Sequence, residues 1–183
     1  MKRIYLILLI LPAVVHAGAQ QETCSCSSDA NYSVWLQEGL IAKEYTNPVK
    51  GYEGTQYLSD WLYGELELRN GDTISNIILR YDRYMDELLW LRKGDYRKGI
   101  INKENVTGFK LVDEIARQEM AFTKRKILLP WIDSTEVFLQ VMVTGNISYH
   151  VYRKLKEEAV EFRLIDNTRH IISHEGKDYV VSL

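Results

Sequence analysis

Residues 62–90 alternate with strand period around an Asn-Gly pair, and this pattern restricts the chain to antiparallel β structure more firmly than anything else in it. Leu62, Gly64, Leu66 and Leu68 fall on one face, while Tyr63, Glu65, Glu67 and Arg69 fall on the other. A period of two marks a pleated strand with one side in a core and the other in water. Asn70-Gly71 supplies the residues that most easily take the positive φ of a type I′ turn, so 73–81 is expected to return as the second strand of a hairpin. No nucleophile, metal cluster or phosphate loop accompanies the pattern.

Turn chemistry at close spacing marks further strands at 86–92, 96–101, 106–112 and 119–127, then 136–144, 147–156, 162–165, 169–174 and 179–182. Gly145-Asn146 reads as a II′- or I′-type hairpin turn, and Glu175-Gly176-Lys177 as the last turn. Val137, Leu139, Val141 and Val143 are expected on an inner face opposed by Ile147, Tyr149, Val151 and Leu155. Residues 112–120 also fit one helical turn, but strand is preferred there. Pro130-Trp131 marks a break. Segment 32–45, with Val34, Trp35, Leu36, Leu40 and Ile41, partly fits a short helix against the opposing signal of Gly39. The expected fold is mostly β, an antiparallel sandwich or small partly open barrel of about eight to ten strands. A short N-terminal helix is allowed for.

The first nineteen residues read as an export signal. Lys2 and Arg3 form the basic start, residues 4–11 are apolar, and Ala17-Gly18-Ala19 gives small residues for cleavage. The apolar run is too short to span a bilayer. Lipidation needs a small apolar triplet before the cysteine, whereas Gln21-Glu22-Thr23 precedes Cys24 and Thr23-Cys24-Ser25 precedes Cys26. The two cysteines are too close for an easy mutual bridge. They read as thiols in a polar tail, with an intermolecular disulfide or a soft-metal pair as alternatives. The domain expectation is a signal over 1–19, a polar tail and linker over 20–50, and one antiparallel β domain over 51–183. Loss of Lys2 and Arg3 takes the formal charge from −2 to about −4, with the signs interspersed. Such a surface offers no electrostatic footprint for nucleic acid. Membrane insertion is not expected either, because Glu65, Glu67 and Arg69, then Lys154 and Lys156, occupy outward positions.

Gly54-Thr55-Gln56-Tyr57-Leu58, Trp61 and Gly64 lead into Asn70-Gly71 and then into Leu79-Arg80-Tyr81-Asp82-x-Tyr84-x-Asp86-Glu87-Leu88. This order resembles small exported β-rich proteins of Bacteroidota bacteria, a functionally uncharacterised group. Val106-Thr107-Gly108-Phe109 and residues 138–152 resemble later parts of the same pattern, so the likeness covers most of 51–155. Asp82 stands where those proteins usually carry Asn. The resemblance implies a β fold and an envelope location, and it brings no catalytic residues with it.

Asp82, Asp86 and Glu87 cluster at a turn and have the oxygen ligands that Ca²⁺ takes, yet turns recruit Asp for backbone hydrogen bonds as well. His150, His170 and His174 are candidate Zn²⁺ ligands. In a strand, however, His170 and His174 lie roughly 13 Å apart. Ser59-Asp60 and Ser173-His174 lack the context of a hydrolase nucleophile. Tyr81, Tyr84 and Trp90 lie on one hairpin, and Tyr149 and Tyr152 on another. They are expected to pack across strands, or, if exposed, to form a partner or ligand surface. Asn31-Tyr32-Ser33, Asn105-Val106-Thr107 and Asn146-Ile147-Ser148 match the N-glycan sequon. Asp72-Thr73-Ile74 and Asp133-Ser134-Thr135 match the bacterial O-glycosylation pattern that the resemblance brings. The expectation is an exported, non-enzymatic envelope protein without cofactor or metal, acting as a structural or protein-interaction module with another envelope protein as partner. The alternative is a carrier with an apolar ligand inside a small barrel.

Overall fold

The computed structural model describes residues 34–37, 40–45, 51–129 and 132–181, with the backbone alone for 34–37, 128–129 and 132–135. In chain order the strands are β1 (Val34–Gln37), β2 (Leu40–Glu44), β3 (Leu62–Leu68), β4 (Thr73–Asp82), β5 (Glu87–Leu91) and β6 (Lys98–Ile101). After a 3-10 turn at Lys103–Asn105 come β7 (Val106–Asp113), β8 (Gln118–Leu129), β9 (Ile132–Val143) and β10 (Ile147–Tyr152). The last four are β11 (Leu155–Glu158), β12 (Arg163–Asp166), β13 (Arg169–His174) and β14 (Lys177–Val181). One antiparallel sheet has the order β1-β2-β6-β5-β4-β3-β7-β8-β9-β10-β13-β14, and β11-β12 is a separate pair. The described residues contain no α-helix. Because the two end strands, β1 and β14, do not pair with each other, it is not a closed barrel.

The fold is thus mostly β as expected, with more strands than the expected eight to ten. The expected N-terminal helix is replaced by the β1-β2 hairpin, in which Val34 opposes Lys43 and Gln37 opposes Leu40. The physical reason is that β6 offers an unpaired edge: Ala42 pairs with Ile101, and Leu40 and Ala42 are buried while Ile41 and Lys43 are exposed. Val34–Gln37 and Leu40–Glu44, within the segment expected as tail and linker, therefore pair into the main sheet. Residues 113–118 turn between two strands without helix, held by the Asp113 carboxylate, which accepts the Ile115 and Ala116 N–H groups. The expected strand 147–156 breaks at Arg153-Lys154, where β11 leaves the main sheet to pair with β12. The signal segment, both cysteines, Gly39 and Pro130-Trp131 lie outside the described residues.

Two turns also differ from expectation. At the first hairpin Leu68 N–H donates to Asp72 O at 2.9 Å and Gly71 N–H donates to Leu68 O at 3.0 Å, closing a loop of three residues. Only Gly71 has positive φ there, at 90°, so the turn is not type I′. Gly145 and Asn146 both keep negative φ, in a longer loop in which Val143 opposes Tyr149. Glu175 and Gly176 do take the two positive φ values, 49° and 74°, of a type I′ turn.

The sheet curls twice, in opposite senses. Tyr81 on β4 and Phe138 on β9 are separated by four strand steps, about 19 Å in a flat sheet. Their rings nevertheless meet edge-on at 6.3 Å. Phe109 and Phe122 stack at 4.4 Å between them, so four aromatic rings fill the concave side formed by β2 to β9. The second curl uses the other face. Arg125 on β8 reaches Asp178 on β14 at 3.0 Å, again across four strand steps. Beneath that pair Ile127, Val137, Leu139, Tyr152 and Ile171 form a second core. Neighbouring residues of a strand point to opposite faces, so Phe138 enters one core while Val137 and Leu139 enter the other. The expected one-sided inner face of β9 is therefore buried on both sides over residues 137–140, because each curl needs a wall and β8-β9 serves both.

Candidate partner surface

Beyond the second curl, the face that continues from Phe138 is left uncovered. Val143, Tyr149, Ile172 and Tyr179 pair in register across β9, β10, β13 and β14, so they form a row four strands wide. Val143 is 55% exposed, Ile172 38% and Tyr179 53%. Ile147 and Val181 lie two residues along the same face and are exposed as well. Lys177 and His174 flank the row, paired with each other. It runs out to β14, whose far side has no strand partner among the described residues. A register shift between Tyr149 and His150 brings Val143 onto this face: without it, Val143 would point with Val137 and Leu139 into the second core.

Of the five aromatics expected as a surface, the structure brings only Tyr149 to this row. Tyr81, Trp90 and Tyr152 are buried and present no surface, because register directs each of them into a core. Tyr81 and Trp90 belong to the first core and Tyr152 to the second. Tyr84 is half-buried at the β4-β5 turn. Its hydroxyl donates to Glu157, which also accepts from Tyr52 at 2.8 Å, and Lys154 donates to its carbonyl. The Glu157 hydrogen bond, ahead of burial, pushes the Tyr84 hydroxyl up to about 12. Tyr149 is half-buried, with its hydroxyl 2.6 Å from His170 Nδ1 and the two rings stacked. The residues that sequence reasoning missed, Val143, Ile147, Ile172, Tyr179 and Val181, carried a signal in their alternation. What it lacked was the bulge that sets the face of Val143.

Two of the three turn carboxylates, Asp82 and Asp86, are held by donors of the protein. Asp82 is fully buried; its Oδ1 accepts the Tyr84 and Met85 N–H groups, each at 2.9 Å, and its Oδ2 accepts Gln56 Nε2. Asp86 Oδ1 accepts the Tyr81 hydroxyl at 2.6 Å and the Phe138 N–H at 3.3 Å, while Oδ2 meets Lys103 Nζ at 2.5 Å. Burial pushes both carboxyls up, against the pull of these donors and lysines. The oxygens of Asp82 and Asp86 are thus engaged by donors of the protein, whereas Glu87, the third member of the cluster considered from sequence, has none among the described residues. Among the described residues no group of three or more His, Cys, Asp or Glu side chains is arranged to hold a metal ion. His150 pairs with Ile171, on the face opposite His170 and His174, so the three imidazoles do not converge. Ser173 donates to Asp178 at 2.6 Å and accepts from Arg125 at 3.0 Å, which gives its hydroxyl no histidine partner. Ser59 donates to the Asp60 carbonyl, and Asp60 pairs with Arg80.

No protein-family model, curated protein or solved structure matches this chain.

Proposed function

We propose that this protein is an exported, non-enzymatic module of the cell envelope that docks another envelope protein on the row from Val143 to Tyr179 and on the free side of β14. The observation that carries the reading is the contiguous apolar row ending at β14, whose outer edge pairs with no strand among the described residues. Contiguous apolar patches on soluble proteins mark interaction sites, and an edge strand offers its backbone as a template for another strand. The leader-like first nineteen residues and the resemblance to exported Bacteroidota proteins support the envelope location. In this reading the first curl is a partly open barrel whose lumen is the aromatic core. Four packed rings in that space favour the docking reading over a carrier of an apolar ligand.

The test is site-specific photo-crosslinking in the native cells, with benzoylphenylalanine placed at Tyr179 and, as a control, at Ile115. Ile115 is 99% exposed on the turn between β7 and β8. A discrete adduct from position 179 that position 115 does not give is the expected result. Equal labelling from both positions, or none from either, overturns the reading.

A further inference from the structure

A cleft of about 440 Å³ opens on other strands, where β2, β6, the β4-β5 turn and the 3-10 turn meet. Its size falls within the range of small-molecule sites. Lys43 pairs with Ile100, and Ile100 pairs with Leu89. Glu87 shares the Leu89 face and Ile41 shares the Lys43 face, so all of these point to one side of the sheet. Ile41, Ile100 and Met85 give the cleft its apolar wall. At its base Lys103 is committed: its ammonium holds Asp86 Oδ2 at 2.5 Å and Asp86 O at 3.1 Å and lies over the Phe138 ring at 4.8 Å.

Two opposite charges remain. Glu87 is half-buried, yet among the described residues it has neither a hydrogen-bond donor nor an ion-pair partner. Lys43, across Ile100, is likewise unpaired, although its charge reaches Glu87. Burial raises the Glu87 pKa first of all, with Lys43 opposing and Asp82 adding to the rise. A carboxylate withdrawn from water without a donor is a costly arrangement that a donor-bearing ligand relieves. A cation and an anion facing each other over an aliphatic wall match a molecule that carries both charges and a hydrocarbon tail. We propose that this cleft binds a small aliphatic zwitterion of the amino-acid type. Its ammonium sits on Glu87, its carboxylate on Lys43 and its side chain against Ile41 and Ile100. The inference does not depend on the partner surface.

The probe is L-leucine, titrated into the full chain with labelled isoleucine methyl groups and followed by NMR. Saturable shifts of the Ile41 and Ile100 methyls are expected. Hexylammonium and hexanoate, each lacking one charge, are expected to bind about tenfold more weakly or worse, as L-leucine does to Glu87→Gln and to Lys43→Met. Both variants alter outward-facing side chains, and far-UV circular dichroism checks that each is folded. Met85→Trp, at a position 51% exposed, narrows the cleft without touching either charge and should also weaken binding. The proposal is overturned by any of three results: no saturable shift with L-leucine, a single-charge probe that binds as tightly, or folded variants that bind like the parent.

Discussion

Replacing Asp86 by alanine removes one acceptor set from three donors at once, and the structure gives the scale of the damage. The Tyr81 hydroxyl and the Phe138 N–H both lie in the core and would be left unsatisfied. Each such group costs about 1–2 kcal/mol. Asp86 also has a φ of 57°, which alanine tolerates at a penalty of roughly 1 kcal/mol. Lys103 keeps access to water, with 28% of its side chain exposed, so losing its partner adds little. The total is about 4 kcal/mol for Asp86→Ala. Asp86→Asn keeps an acceptor oxygen and a residue suited to that φ, so about 1–2 kcal/mol is expected. Urea unfolding, followed by fluorescence of the buried Trp90 and by far-UV circular dichroism, measures both. An alanine variant within about 1 kcal/mol of the parent, or one equal to the asparagine variant, would refute the assignment of Asp86 as the pin between the β4-β5 turn and β9.

Other consequences follow from single positions. A Cβ on Gly64 would stand 2.2 Å from the Lys110 carbonyl oxygen. Gly64→Ala should therefore cost about 2–3 kcal/mol, read from the shift in the urea midpoint; an unchanged midpoint contradicts the β3-β7 register. Glu87 has a folded-state pKa raised above its unfolded value of about 4.3. Its contribution to stability is present below that pH and is lost as pH rises through the raised value. Stability of the parent relative to Glu87→Gln should consequently fall from pH 4 upward, and a constant difference across a pH series of urea titrations removes the argument. Tyr179→Ser, on an exposed edge, should leave stability within about 0.5 kcal/mol while abolishing the crosslinked adduct from a probe placed at Ile172. An undiminished adduct shows that the row does not carry docking.

Most strands were legible because their causes are local. Glu65 and Glu67 against Leu66 and Leu68, or Glu175-Gly176 between two apolar runs, declare strand and turn without help from the rest of the chain. What was hidden depends on residues far apart in sequence. The segment 32–45 has apolar spacing compatible with helix, and the waiting edge of β6 favours the strand pair of Val34–Gln37 with Leu40–Glu44. Phe138 and Leu139 are adjacent and both buried, a pattern that alternation alone cannot explain. It arises because two curls of opposite sense share β8-β9. Tyr81, Trp90 and Tyr152 are chemically suited to a surface as well as to a core, and register decides between them. The exposed row was partly visible in Tyr149. Its other members depend on a bulge that no residue type announces.

The double curl around β8-β9 underlies both the buried aromatic core and the exposed row, and one spectrum tests it directly. In a NOESY experiment on the folded protein, the account requires cross-peaks between the Tyr81 and Phe138 rings. It also requires cross-peaks between the methyls of Leu139 and Ile171, on the opposite face of the same ribbon. Assigned rings and methyls that give neither set, with the sequential strand contacts intact, would mean a flat sheet and would contradict it.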